Sequence, residues 1–177
     1  YGNSHGFLKS HQKTNHSVGC VVVASQENEK QRDYWYSSSR HPEDLENHKQ
    51  IGKKAGLRTL NRLGSKKIDT TEAPVLFSPQ LAGGFIGHAI SALSGSAQYR
   101  KASFLLDAME KKIFPDFLSI EERPHIPRGM ASRVFDAEGV STQDRDIVSN
   151  GKVEGYLLNS YSARRLNMIT TANAGGY

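Results

Sequence analysis

The chain has 177 residues, 37% of them hydrophobic and 23% charged, with a formal net charge of +5. That length gives one domain or two small ones with a real core, and its longest apolar-rich stretch, residues 73–98, is broken by proline, glycine and serine and falls short of the ~20 apolar residues of a membrane span. The single cysteine, Cys20, excludes an intrachain disulfide and a cysteine-rich zinc site and fits a reducing compartment.

The sequence opens on Tyr1 with no methionine and no signal-peptide pattern, so it reads as an internal piece of a longer protein. Charge is uneven along it. Residues 1–70 hold 12 basic and 7 acidic side chains, whereas residues 71–177 hold 11 of each.

The first 40 residues read as strands. A β-branched run at Val18 to Val23 and the aromatic run Tyr34, Trp35, Tyr36 favour a pleated, half-buried surface, and SQENE between them forms a hairpin turn. From Ile51 the pattern changes: Ile51, Ala55, Thr59 and Leu63 step by four, with Gly52, Gly56 and Leu60 beside them, and Gly64 is the stop signal. The small residues of this stripe are expected to let the helix lie close to a sheet.

Residues 68–72 form a polar connector, and a domain boundary is placed between 70 and 71. APVLF at 73–77 reads as a short buried strand. Ser78-Pro79 supplies an N-cap and a first-turn proline for a helix from Gln80 to about Leu93. That helix is apolar nearly all round and is expected to be buried, so that larger side chains at its glycines would overpack it. A second helical, amphipathic segment is expected over Tyr99 to Met109. The prolines of FPDFLSIEERPHIPRG then impose extended structure. DIVSNGKVEGYLL alternates on both sides of Asn150-Gly151, the dipeptide best suited to a two-residue hairpin turn. Ser160 is expected to cap a short helix through Leu166, and TTANAGG closes as a loop. The fold class is therefore α+β: residues 1–70 as the end of an α/β domain, strands plus a covering helix, then residues 71–177 as the start of a β-rich domain with a buried helix.

The seven histidines include no pair three or four residues apart, so none presents two imidazoles on one helical face; a site assembled from distant parts of the chain stays open. His88 shares a helical face with Leu81, Phe85 and Ala92 and reads as a buried histidine satisfied by a carbonyl or hydroxyl. Cys20, inside a valine run, reads as packing. Glu121 and Glu122 are adjacent in an extended segment and point to opposite faces, which disfavours paired acid-base work. Seven basic residues between Lys49 and Lys67, with no acid among them, could track a phosphate backbone, but no reading motif accompanies them.

Several stretches together resemble one family: SHGF at 4–7, QRDYWYSS at 31–38, APVLFSP at 73–79, YRKASFLLD at 99–107, SIEERPH at 119–125, FDAEGV at 135–140, and SYSARRL with TTANAGG near the end. They are similar to the PmbA/TldE branch of the TldD/PmbA metalloprotease family, long labelled modulators of DNA gyrase, and the resemblance covers nearly the whole chain. It implies a stretch from the middle of such a protein.

In the sister TldD-type subunit a helix carries HExxxH, with a cysteine ligand much later. The corresponding stretch here is GGFIGH at 83–88, which keeps His88 but has Gly83 at a ligand position and Gly84 at the position of the glutamate. The resemblance thus implies a chain that holds no cofactor, is not catalytic by itself and pairs with a zinc-bearing TldD-type subunit in the cytoplasm. The pair would degrade unfolded peptides and help mature peptide microcins. Tyr99, Arg100, Arg123 and His125 are the positions implied for the peptide channel or the dimer. A nucleic-acid or gyrase-associated regulator is the alternative function, and an enzyme whose site lies outside these residues is the third.

Overall fold

In a computed structural model, residues 1–176 are described, and they divide into two units: residues 12–74 with 128–130, and residues 1–11, 75–127 and 131–176. In the first unit, β1 (His16–Gln26) and β2 (Glu29–Ser39) pair antiparallel from His16↔Ser39 to Gln26↔Glu29. The intervening turn has two residues, and Glu27 takes the positive φ (52°) that such turns require. Side chains alternate as the valine run predicts: Val18, Cys20, Val22 and Ala24 are half-buried, while Val21 and Val23 face out.

Helix α1 (His48–Leu60), capped by the Asn47 side chain on the Lys49 N–H, covers the inner face. Its contact stripe is the four-step row: Ile51, Ala55 and Thr59 are buried. The Thr59 hydroxyl donates back to the Ala55 carbonyl (2.8 Å), so its polar atom enters the core already paired. Gly52 and Gly56 have nothing within 4 Å of where a Cβ would stand. Close approach is therefore set by Ala55 on the buried row, and not by the glycines as the sequence suggested.

Three of the seven basic residues between Lys49 and Lys67 are paired with acids inside their own unit. Lys54 meets Glu46 at 2.7 Å, Arg58 and Arg62 meet Asp33 at 3.3 and 3.6 Å, and Lys54 and Arg58 also lie over the Trp35 ring. Three carboxyls are held below their ordinary values: Asp33 chiefly by the Tyr34 N–H, Glu46 chiefly by Lys54, and Glu29 chiefly by the Gln31 side chain and then the Gly64 N–H. A depressed folded pKa gives stability that is complete above the unfolded values, here 3.8 for Asp and 4.5 for Glu, and is lost as pH falls through the folded ones. This unit is therefore expected to keep its melting temperature from pH 8 to about pH 5 and to lose it progressively below about pH 4. Thermal scans of Asp33→Asn, which should flatten that acid limb, check the assignment.

The second unit contains α2 (Pro79–Ala92), α3 (Gly95–Tyr99), β3 (Ile120–Glu122), β4 (Arg145–Ser149), β5 (Lys152–Val153) and α4 (Ser160–Arg165). The three strands form one antiparallel sheet in the order β3-β4-β5. Val148, Val153, Leu93 and Leu158 are fully buried at the centre of a core that also takes Leu105, Ile147 and Tyr156. As the Asn-Gly pair predicts, Asn150 and Gly151 take φ of 47° and 80° between β4 and β5.

Four expectations from the sequence do not hold. Residues 73–77 form no strand: Val75 and Leu76 are 69% and 98% exposed, and Pro74 removes a ladder donor from the run. Helix α2 is not buried; only Ala89 and Ala92 are, while Leu81 and Phe85 are 66% and 56% exposed even though Phe77 packs on Phe85. The helix expected over 99–109 stops at Tyr99. Lys101 takes φ 56°, the Ala102 N–H returns to the Ala97 carbonyl and the Lys101 N–H to Gln98, a Schellman closure without the usual glycine. In α4 the cap is Asn159 and not Ser160, in a reciprocal box with Ser162.

Candidate functional site

Helix α2 runs unbroken through Gly83, Gly84, Gly87 and His88. His88 is exposed, which corrects its reading as a buried, satisfied histidine. A Cβ at Gly83, Gly84 or Gly87 would meet nothing within 4 Å, so these glycines are not demanded by packing. The overpacking expected of larger residues there is overturned for the same reason. Phe85 instead packs against Phe77, with ring centres 4.5 Å apart. Among the described residues no group of three His, Cys, Asp or Glu side chains is arranged to hold a metal.

Of the four other residues singled out, Tyr99 and Arg100 are brought into one cluster and Arg123 and His125 are not. Arg123 is engaged inside the fold: it meets Asp146 at 2.7 Å and Glu121 at 3.1 Å and donates to the Arg145 carbonyl at 2.7 Å. Its pKa is raised chiefly by the Asp146 hydrogen bond. That makes it a tie between β3 and β4. His125 Nε2 lies 3.1 Å from the Thr142 hydroxyl, whose proton goes to the Arg133 carbonyl at 2.6 Å. Thr142 must then accept from His125, which places the imidazole proton on Nε2.

The cluster at the ends of α3 and α4 forms because the two helices come close at Gly95. A Cβ there would stand 2.4 Å from Ser162 Oγ and 2.7 Å from Leu158 Cδ2, so only glycine fits. This approach sets the Tyr99 and Tyr161 rings edge to face, 5.6 Å apart. The Arg100 and Arg165 guanidinium carbons lie 5.5 and 5.9 Å from the Tyr99 ring centre, and Arg100 Nε donates to the Tyr99 hydroxyl at 3.0 Å. That hydrogen bond is the main cause of the raised Arg100 pKa. Tyr161 and Arg165 were not singled out from sequence, although SYSARRL carries both.

A second group absent from the sequence reading holds the closing loop, residues 170–174. Arg145 Nε meets Glu122 at 2.6 Å, its other nitrogens donate to the Tyr156 carbonyl and to Asn173 Oδ1 at 2.9 Å each, and Asn173 donates back to Glu122 at 2.6 Å. Buried Asp136 accepts from the N–H groups of Glu138, Val140 and Ala174. The loop is thereby fixed from two sides.

Family models match the two ends of the chain: the PmbA/TldA metallopeptidase central domain over residues 1–63 and the PmbA/TldA metallopeptidase C-terminal domain over residues 70–177. Fold and sequence thus define a chain of the metallopeptidase-family type. The Metalloprotease PmbA of Escherichia coli O157:H7 is 44% identical over 176 residues, 99% of this chain and 39% of that protein. A zinc metalloprotease TldD homolog of Saccharolobus solfataricus is 30% identical over 118 residues, 66% of this chain and 26% of that protein. A solved structure from Bacteroides thetaiotaomicron, described as a modulator of DNA gyrase, superposes with a TM-score of 0.89 at 32% identity, covering 97% of this chain and 39% of that one. The chain belongs to the PmbA/TldD metallopeptidase family and spans about 39% of the length of the curated relatives it matches.

Proposed function

We propose that the protein is the noncatalytic, TldE-type subunit of a cytoplasmic TldD/TldE metalloprotease heterodimer that degrades unfolded peptides and helps mature peptide microcins, with zinc carried by the TldD-type partner. The observation that carries this reading is the pair Gly83-Gly84 on α2, where the resemblance to a TldD-type subunit puts a metal ligand and the general base. Glycine offers neither a lone pair for a metal nor an acceptor for the proton of an attacking water. Openness around both glycines supports it further, since packing gives no other reason for them. Elemental analysis of the dialysed full-length protein is expected to find far less than one zinc per chain; close to one would contradict the reading.

Restoring the side chains with Gly83→His and Gly84→Glu is expected to leave the protein folded and inactive. Positions 83 and 88 are separated by about 140° around an ideal helix, so both imidazoles reach one metal only if the helix is distorted between them. A third protein ligand is needed as well. Replacing two open, mid-helix glycines should leave stability unchanged or raise it by up to about 1 kcal/mol. Thermal unfolding and a zinc-supplemented peptidase assay check both halves.

The reading as a gyrase-associated regulator is favoured by the description carried by the Bacteroides structure. Against it, Lys54, Arg58 and Arg62 of the basic run are already paired with Glu46 and Asp33. DNA binding is accordingly weak and without sequence preference on our account; tight, sequence-selective binding at physiological salt would reverse the order of the two readings.

A further inference from the structure

Both short helices of the second unit close their last turns through backbone N–H groups that return to carbonyls of that turn. In α3 the Schellman pair closes through Lys101 and Ala102; in α4 the Asn167 and Met168 N–H groups return to the Arg164 and Ala163 carbonyls, with Asn167 at φ 55°. The arginines at these ends are therefore not needed as caps. Neither Arg100 nor Arg165 donates to a backbone carbonyl or forms an ion pair among the described residues. Two guanidiniums converge on one tyrosine ring with no acidic side chain paired to either among the described residues, while the adjoining Tyr161 is 53% exposed.

We propose that Arg100 and Arg165, with the Tyr99 and Tyr161 rings, form a subsite that binds a carboxylate of a peptide held by this protein. The proposal rests on the peptide-handling reading above. A guanidinium presents its N–H groups in a planar fork that matches a carboxylate, and two rings set edge to face give apolar walls for the side chain beside it. Because residues 71–177 hold 11 basic and 11 acidic side chains, the positive charge is local, which suits one small anion and not a polyphosphate track. Gly95 is what places the two halves of the subsite together.

The carboxylate can come from the peptide C-terminus or from an Asp or Glu side chain, and three unfolded peptides of otherwise identical sequence separate these sources: one with a free C-terminus and no acidic residue, one amidated, and one amidated with an internal aspartate. Titrated against the full-length protein with its TldD-type partner, a carboxylate-bearing peptide should bind about tenfold more tightly than the amidated, acid-free one. The free C-terminus or the internal aspartate identifies the source. In Arg100→Gln with Arg165→Gln, both exposed positions, that preference should collapse to within about threefold at an unchanged melting temperature. Equal binding of all three peptides overturns the carboxylate subsite and leaves peptide handling intact, and so does a preference that survives in the variant. Binding of a single-stranded oligonucleotide, lost in the same variant, would assign the cluster to phosphate and overturn the proposal. Failure of all three peptides to bind would overturn the peptide-handling reading together with it.

Discussion

Gly151→Ala is expected to lower stability by about 3 kcal/mol or more, one of the two largest effects among the substitutions considered. Gly151 takes φ 80°, and a Cβ there would stand 2.1 Å from the Phe114 carbonyl oxygen and 2.8 Å from that of Pro115. These are backbone atoms, so no side chain can swing aside. The segment they belong to is fastened to the same residue: the Ile113 and Phe114 N–H groups donate to the Gly151 carbonyl, and the Gly151 N–H donates to Leu118. Relieving the clash therefore breaks the hydrogen bonds that close the β4–β5 hairpin onto residues 113–118. A fall in melting temperature on the order of 10 °C is expected. Gly83→Ala, in open space on α2, is the control and should show no loss.

Arg145→Met is the second. The guanidinium satisfies Glu122, the Tyr156 carbonyl and Asn173 at once, with the Arg145 and Glu122 side chains only 19% and 20% exposed. Methionine keeps much of the stem but leaves a mostly buried carboxylate and a carbonyl without their donor, a loss of about 3 kcal/mol. The loss should be local first. Asn173 holds residues 170–174 through this network, so amide exchange there should rise before the β4–β5 hairpin loosens. Exchange rates measured by mass spectrometry on the full-length variant check the order, and uniform loosening of both segments would show that the network does not anchor the loop.

What the sequence revealed of this fold was what is encoded locally. The β4–β5 turn follows from Asn150-Gly151, since those two residues tolerate the required positive φ, and α1 follows from the four-step row Ile51, Ala55, Thr59 and Leu63, although the helix stops at Leu60, before the last of them. What failed depended on partners. An apolar circumference says that α2 has surface to cover and cannot say what covers it, so the expected burial of Leu81, Phe85 and His88 does not hold in this chain. The end of α3 was missed because Lys101 adopts a left-handed conformation usually marked by glycine or asparagine. The Tyr99–Tyr161 cluster joins residues 62 positions apart through a close approach at Gly95, and no spacing rule reports such a contact. The reading of Gly83 and Gly84 rests on resemblance, and the structure adds that nothing crowds either residue.

That this protein supplies no catalytic group of its own to peptide hydrolysis is the core of the proposed function. Its most direct test is cleavage of an unfolded peptide by the full-length protein alone, by a TldD-type subunit alone, and by the two together, each with and without a zinc chelator. No turnover is expected from this protein alone, and chelator-sensitive turnover is expected to appear on mixing. Chelator-sensitive turnover by this protein without a partner would contradict it.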